Sequence, residues 1–118
     1  MKYMLLIYSE PQTPPEGEPQ DFEAMMQPWF DYGDAMTEAG VHVAGDALEA
    51  IETATTVRVR NDETVLTDGP FAETKEVLGG YYLIDVDNVD DAIAWAARCP
   101  AAQYGSMEVR PLMVIPEA

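Results

Sequence analysis

The chain has few of the residues that most often announce chemistry. It contains one cysteine, Cys99, and one histidine, His42. No internal disulfide can form, and no zinc site of ordinary spacing can be assembled. Basic residues are scarce too: 6 Lys and Arg stand against 22 Asp and Glu, a formal net charge of −16. No Lys or Arg lies between Lys2 and Arg58, where eleven Asp or Glu do. Such a surface repels nucleic-acid phosphates and anionic membranes. It serves first as a solubility device, and a basic protein surface is the partner it would suit. No apolar run approaches the roughly 18 to 20 residues of a membrane span. The apolar start, residues 1–8, is too short for a signal peptide and has no small-residue cleavage site after it. The expectation is a cytoplasmic chain with neither a metal nor a cofactor.

What is present suits a folded domain. The 118 residues are 47% hydrophobic, enough for one core and too few for two ordinary domains, so residues 1–118 are expected to form a single domain. Residues 2–8 are apolar on both faces, as in a strand buried on both sides. Residues 9–20 hold Pro11, Pro14, Pro15 and Pro19 and read as a loop. Residues 21–39 read as a helix, with Phe22, Met25, Met26, Trp29, Gly33 and Met36 at spacings of three and four. Pro28 either kinks this helix or begins a second one. Short strands follow at 41–45 and 54–60. The turn signal Asn61-Asp62 returns the chain through 63–67 as a hairpin. Gly79-Gly80 precedes a buried strand at 81–86. A second helix begins at the N-cap Asn88 and is stopped by Pro100. A last strand spans 106–115.

The order β-α-β-(hairpin)-β-α-β predicts an α+β, ferredoxin-like sheet with both helices on one face. Strands 2–8 and 81–86 are apolar on both faces, so the helix-free face also needs a cover. No chain is left over to supply one. A homodimer that packs two sheets face to face, a dimeric α/β barrel, is the economical answer.

The most unusual stretch is Asp68-Gly69-Pro70-Phe71-Ala72-Glu73-Thr74-Lys75-Glu76. Gly before Pro makes a rigid turn, after which Asp68 is expected to cap residues 72–76. This stretch resembles the signature of the DGPF proteins, a branch of the YCII-related superfamily. Gly79-Gly80-Tyr81-Tyr82, Ala94-Trp95-Ala96 and Glu108-Val109-Arg110-Pro111 are similar to the same pattern. The resemblance covers essentially the whole chain. It implies a ferredoxin-like dimeric α/β barrel and no established activity. It also implies a regulatory alternative, since similar proteins are often encoded beside extracytoplasmic-function sigma factors. The wider superfamily pairs a His on the first helix with an Asp after the second. This chain has no His on the first helix and Cys99-Pro100 where an Asp would stand, so that pair does not carry over.

Glu108 and Arg110 are two apart in a strand and share a face. They can form a structural ion pair, or Arg110 can receive a carboxylate. Tyr81 and Tyr82 point to opposite faces, and Tyr82 is expected to reach the barrel interior. His42, on a short strand, is either solvated or catalytic. Arg98 favours a reactive Cys99 thiolate, whereas the C-terminal end of the helix disfavours it.

Two functions follow. One is a small-molecule-binding domain or enzyme with a polar site at the barrel mouth. There Asp68, Glu73, Glu76 or His42 would act as base, and Lys75, Arg110, Glu108 and Tyr82 would bind the ligand, the two cations holding an anion. The other is a non-catalytic module, serving either for interaction or as an obligate dimer whose charged turn only locks the fold. The sharpest expectation is that Asp68, Glu73, Lys75, Glu76, Glu108 and Arg110 converge on one polar patch.

Overall fold

A computed structural model describes residues 1–11, 22–72 and 74–116. Two expectations fall outside those residues: most of the proline-rich connection at 9–20, and Glu73.

The first strand, β1 (Lys2–Ser9), lies inside a four-stranded antiparallel sheet, between β5 (Val77–Asp85) and β6 (Ser106–Pro111). The edge strand β2 (His42–Ala47) pairs with β5, giving the order β2-β5-β1-β6. Two helices, α1 (Phe22–Glu38) and α2 (Val89–Arg98), pack on one face. The arrangement is consistent with a ferredoxin-like fold. The remaining strands, β3 (Thr55–Arg60) and β4 (Glu63–Asp68), form a separate two-stranded sheet.

The core lies between sheet and helices. Tyr3, Leu5 and Ile7 alternate into it from β1 and Ile84 from β5, against Tyr32 and Met36 of α1 and Ala92 and Ala96 of α2. Small residues on α2 let that helix sit close to the sheet. On α1 the buried stripe is the predicted one only in part: Met36 is fully buried and Trp29 packs against the core. Phe22 is 67% exposed and Met25 50%, while Tyr32, absent from the expected stripe, is buried. Its hydroxyl donates to the Trp95 carbonyl at 2.8 Å, so the phenol joins the two helices without losing a hydrogen bond. Pro28 lies inside one helix.

Local signals explain the ends. Asn88 accepts from the Asp91 amide at 2.9 Å, which caps α2 as its sequence predicts. Asn61 and Asp62 both take positive φ, 52° and 63°, as the tightest hairpin turn requires. Some features differ from the sequence reading. β5 starts at Val77, so Gly79 and Gly80 lie within the strand. The register shift there lets the chain pass two glycines without breaking the ladder. β6 stops at Pro111, which ends the pairing with β1. Residues 74–76 form no helical turn, and Asp68, at the end of β4, caps nothing among the described residues.

Candidate functional site

Strand register decides which side chains share the helix-free face. Met4 lies between Leu83 and Arg110, Leu6 between Tyr81 and Glu108, and Tyr8 between Leu78 and Ser106. The centre of this face is therefore apolar and its β6 margin is polar. On the margin, Arg110 Nη2 meets Glu108 Oε2 at 2.7 Å. Further along, Ser106 Oγ donates to Glu76 Oε1 at 2.7 Å, and Lys75 Nζ lies 3.2 Å from Glu10 Oε1. On the opposite margin, Tyr81 donates to Asp46 Oδ2 at 3.0 Å. That bond, made to the neutral phenol beside a carboxylate, raises the Tyr81 pKa.

Two recesses meet at Tyr8 and Thr74. One is polar, about 750 Å³, and is lined by Glu10, Lys75, Glu76, Tyr104 and Ser106 as well as the shared pair. The other is mainly apolar, about 560 Å³, and lies among Ile51, Ala54, Pro70, Phe71, Val77 and Leu78. The turn that separates the hairpin from β5 forms its wall. Gly69 holds φ 101°, a conformation that favours glycine. Its amide donates to the Ala54 carbonyl at 2.7 Å, and its carbonyl accepts from Thr56 Oγ at 2.8 Å. The Asp-Gly-Pro-Phe segment is thus pinned across the base of the hairpin.

Not all of the expected residues come together. Lys75, Glu76, Glu108 and Arg110 lie along one margin of one face. They form two separate sets, with no ion pair or hydrogen bond between them. Asp68 is exposed at the base of the hairpin. His42 is exposed on the far strand, opposite Ile84, with its ring 6.2 Å from that of Tyr82. Tyr82 points to the helix side, where its ring meets Tyr32 edge-on at 5.3 Å, and burial raises its pKa. Tyr81 is the tyrosine on the helix-free face. Both expected anion-holding cations already have carboxylate partners: Arg110 forms the ion pair with Glu108 that their spacing allowed, while the pairing of Lys75 with Glu10 is not revealed by its place in the sequence. Cys99 is buried, which pushes its thiol pKa up, and Arg98 stacks over Trp95 at 4.3 Å instead of serving it. Among the described residues no group of three or more His, Cys, Asp or Glu side chains could hold a metal ion. No helix among them is long and apolar enough to cross a membrane.

A sheet of this order carrying this turn and this polar margin can be compared with known proteins. The family model described as the YCII-related domain matches residues 1–116. The chain belongs to the YCII-related domain family. An uncharacterised protein of Rhizobium meliloti (strain 1021) is 36% identical to it over 114 residues, which span 95% of this chain and 92% of that protein. In this YCII-related domain three residues at the site escaped the sequence reading. Ser106 orients Glu76, Tyr104 walls the polar recess, and Glu10 holds Lys75. Only strand register and the return of the 74–76 segment to β6 bring them together.

Proposed function

We propose that this YCII-related domain, of the DGPF branch, pairs through its helix-free face into a dimeric α/β barrel and binds a small molecule at the barrel mouth. The observation that carries this is the sheet face itself: Met4, Leu6, Tyr8, Leu78, Tyr81 and Leu83 lie together on the side away from α1 and α2. Charge favours the same face. The exposed side of α1 carries Glu23, Asp31, Asp34 and Glu38 and no base, whereas Arg110 and Lys75 on the sheet side are each matched by a carboxylate. Two copies meet with least repulsion through the balanced face.

The ligand's apolar body would fill the recess beside Phe71. Its anionic end would take Lys75 from Glu10, an exposed pair that costs only about 0–1 kcal/mol to separate. Glu76, held by Ser106, is the carboxylate best placed to accept a proton or a hydrogen bond there. This is a binding site first: its hydroxyl–carboxylate contact, Ser106 Oγ to Glu76 Oε1, is exposed to solvent.

Thermal-shift screening of the purified chain with small aromatic and branched carboxylates tests the proposal. A ligand at 100 times its Kd should stabilise by about 2.7 kcal/mol, and Lys75→Ala should remove the shift. Failure of every such ligand, or a shift indifferent to Lys75→Ala, would overturn the ligand class. A second reading, a non-catalytic module for a basic partner such as an extracytoplasmic-function sigma factor, draws support from the base-free surface of α1. Binding of such a partner that is lost when Asp31 and Asp34 become Asn would favour it.

A further inference from the structure

We infer that the β3–β4 hairpin is an arm that docks on a second copy of this chain through the face carrying Val57, Val59 and Leu66. This rests on the pairing proposed above for the identity of its partner, but it concerns a different surface. Val57 pairs with Leu66 and Val59 with Thr64, so the three apolar side chains share one side of the hairpin. They are 59%, 59% and 66% exposed. The other side is the one the chain itself uses. There Arg58 lies over the Phe71 ring, 5.6 Å from its centroid, and Thr56 bonds to Gly69. A two-stranded sheet is marginal in water unless something packs on it. The face that could supply that packing is the uncovered one.

Charge and area both indicate a second copy. The face comprises Thr55, Val57, Val59, Thr64, Leu66 and Asp68, with one charge, at its base. In a chain of net −16 a nearly neutral strip is where a like-charged copy meets least repulsion. A basic partner would find one carboxylate to recognise, and a strand face offers a small molecule no concavity. Stable homodimers bury about 2,000–5,000 Å² in total, half from each copy. A four-stranded face of this length supplies only on the order of 400–800 Å². That is less than the roughly 1,000 Å² or more that a stable dimer takes from each copy, and the hairpin is a large exposed apolar element beyond the sheet face.

The test uses the full chain. Val59→Asp and Leu66→Asp change side chains that are more than half exposed, so each copy keeps its own core. Sedimentation equilibrium should show the dimer Kd raised on the order of 100-fold, since docking would bury an unpaired carboxylate, with an unchanged circular dichroism spectrum. Leu6→Asp, on the sheet face, is the control. If the arm variants dimerise as tightly as the native chain while Leu6→Asp does not, the arm inference fails and the sheet pairing stands. The reverse pattern keeps the arm and removes the sheet pairing. A native chain that stays monomeric at high micromolar concentration overturns both. Hydrogen exchange on the native chain gives a readout independent of any variant. The amides of residues 55–68 should exchange more slowly as concentration rises from low to high micromolar. Equal exchange at both, in a chain that dimerises over that range, overturns the arm.

Discussion

Cys99 shows how burial overrides the local signals of a residue. Beside Arg98 its thiol would be activated, but the side chain is 1% exposed and the guanidinium is turned onto Trp95. The folded chain therefore disfavours the thiolate. Its pKa is raised by burial, as is that of Tyr32, whose hydroxyl is held by Trp95. Both groups are neutral acids with folded values above the unfolded ones. The stability they contribute is complete below the unfolded pKa and is lost as pH rises toward the folded value. The Tm should therefore fall from about pH 8.5, where an unfolded thiol ionises, and more steeply above about pH 10, where an unfolded tyrosine does. Thermal melts of Cys99→Ala should lack the first part of that fall. Thiol labelling of the native chain should proceed only as fast as the chain opens. Fast labelling at neutral pH would show that Cys99 is accessible.

Glycine positions show how much of an element's geometry rests on one missing methyl group. At Gly105, the residue before β6, an added Cβ would lie 2.2 Å from the Tyr8 carbonyl oxygen. Gly105→Ala should cost roughly 1–3 kcal/mol in denaturant unfolding through overpacking against backbone, and should disturb the polar recess beside it. At Gly69 space is open and the constraint is φ alone, so Gly69→Ala should cost about 1–2 kcal/mol. That loss should be confined to the hairpin base, as read by hydrogen exchange. On α2, Asn88→Ala should cost about 1 kcal/mol, the worth of its cap. These three elements differ in legibility. The Asn88 cap and the Asn61-Asp62 turn are written in adjacent residues. The Gly69 turn is half-written, since Gly before Pro fixes a rigid bend but not what it is pinned to. Nothing near Gly105 in the sequence shows that β1 passes against it.

The whole molecule is a thin sheet-and-helix layer with extensions, its principal extents 56 × 49 × 19 Å. Its core is small, and each member matters. Leu5 is fully buried at the centre of β1, and Leu5→Ala should cost roughly 2–5 kcal/mol. Arg110→Ala, by contrast, removes an exposed pair and should change stability by about 0–1 kcal/mol. A large loss of stability there would show that the Glu108–Arg110 pair is structural in the assembled protein. The charge balance predicts no sequence-independent binding to DNA or RNA at moderate salt. A sub-micromolar affinity in a filter-binding or anisotropy titration would contradict that.

The sequence by itself determined the order of elements, the cap of the second helix, the hairpin turn, the charge of the surface and the family resemblance. Each depends on residues close together in the chain or on composition, and neither needs a partner to be read. It also determined that β1 is apolar on both faces, which is why the uncovered side could be anticipated. Tertiary structure alone decided which tyrosine of Tyr81-Tyr82 faces which side, because a strand's alternation fixes that the two differ but not which face the helices take. It decided that Tyr32 and not Phe22 enters the core, because the docking angle of α1 selects among apolar positions of similar spacing. And it decided that Lys75 is neutralised, because Glu10 reaches it only once the 74–76 segment returns to the end of β1, whereas the Glu108–Arg110 pair, two residues apart on one strand, was already open to the sequence.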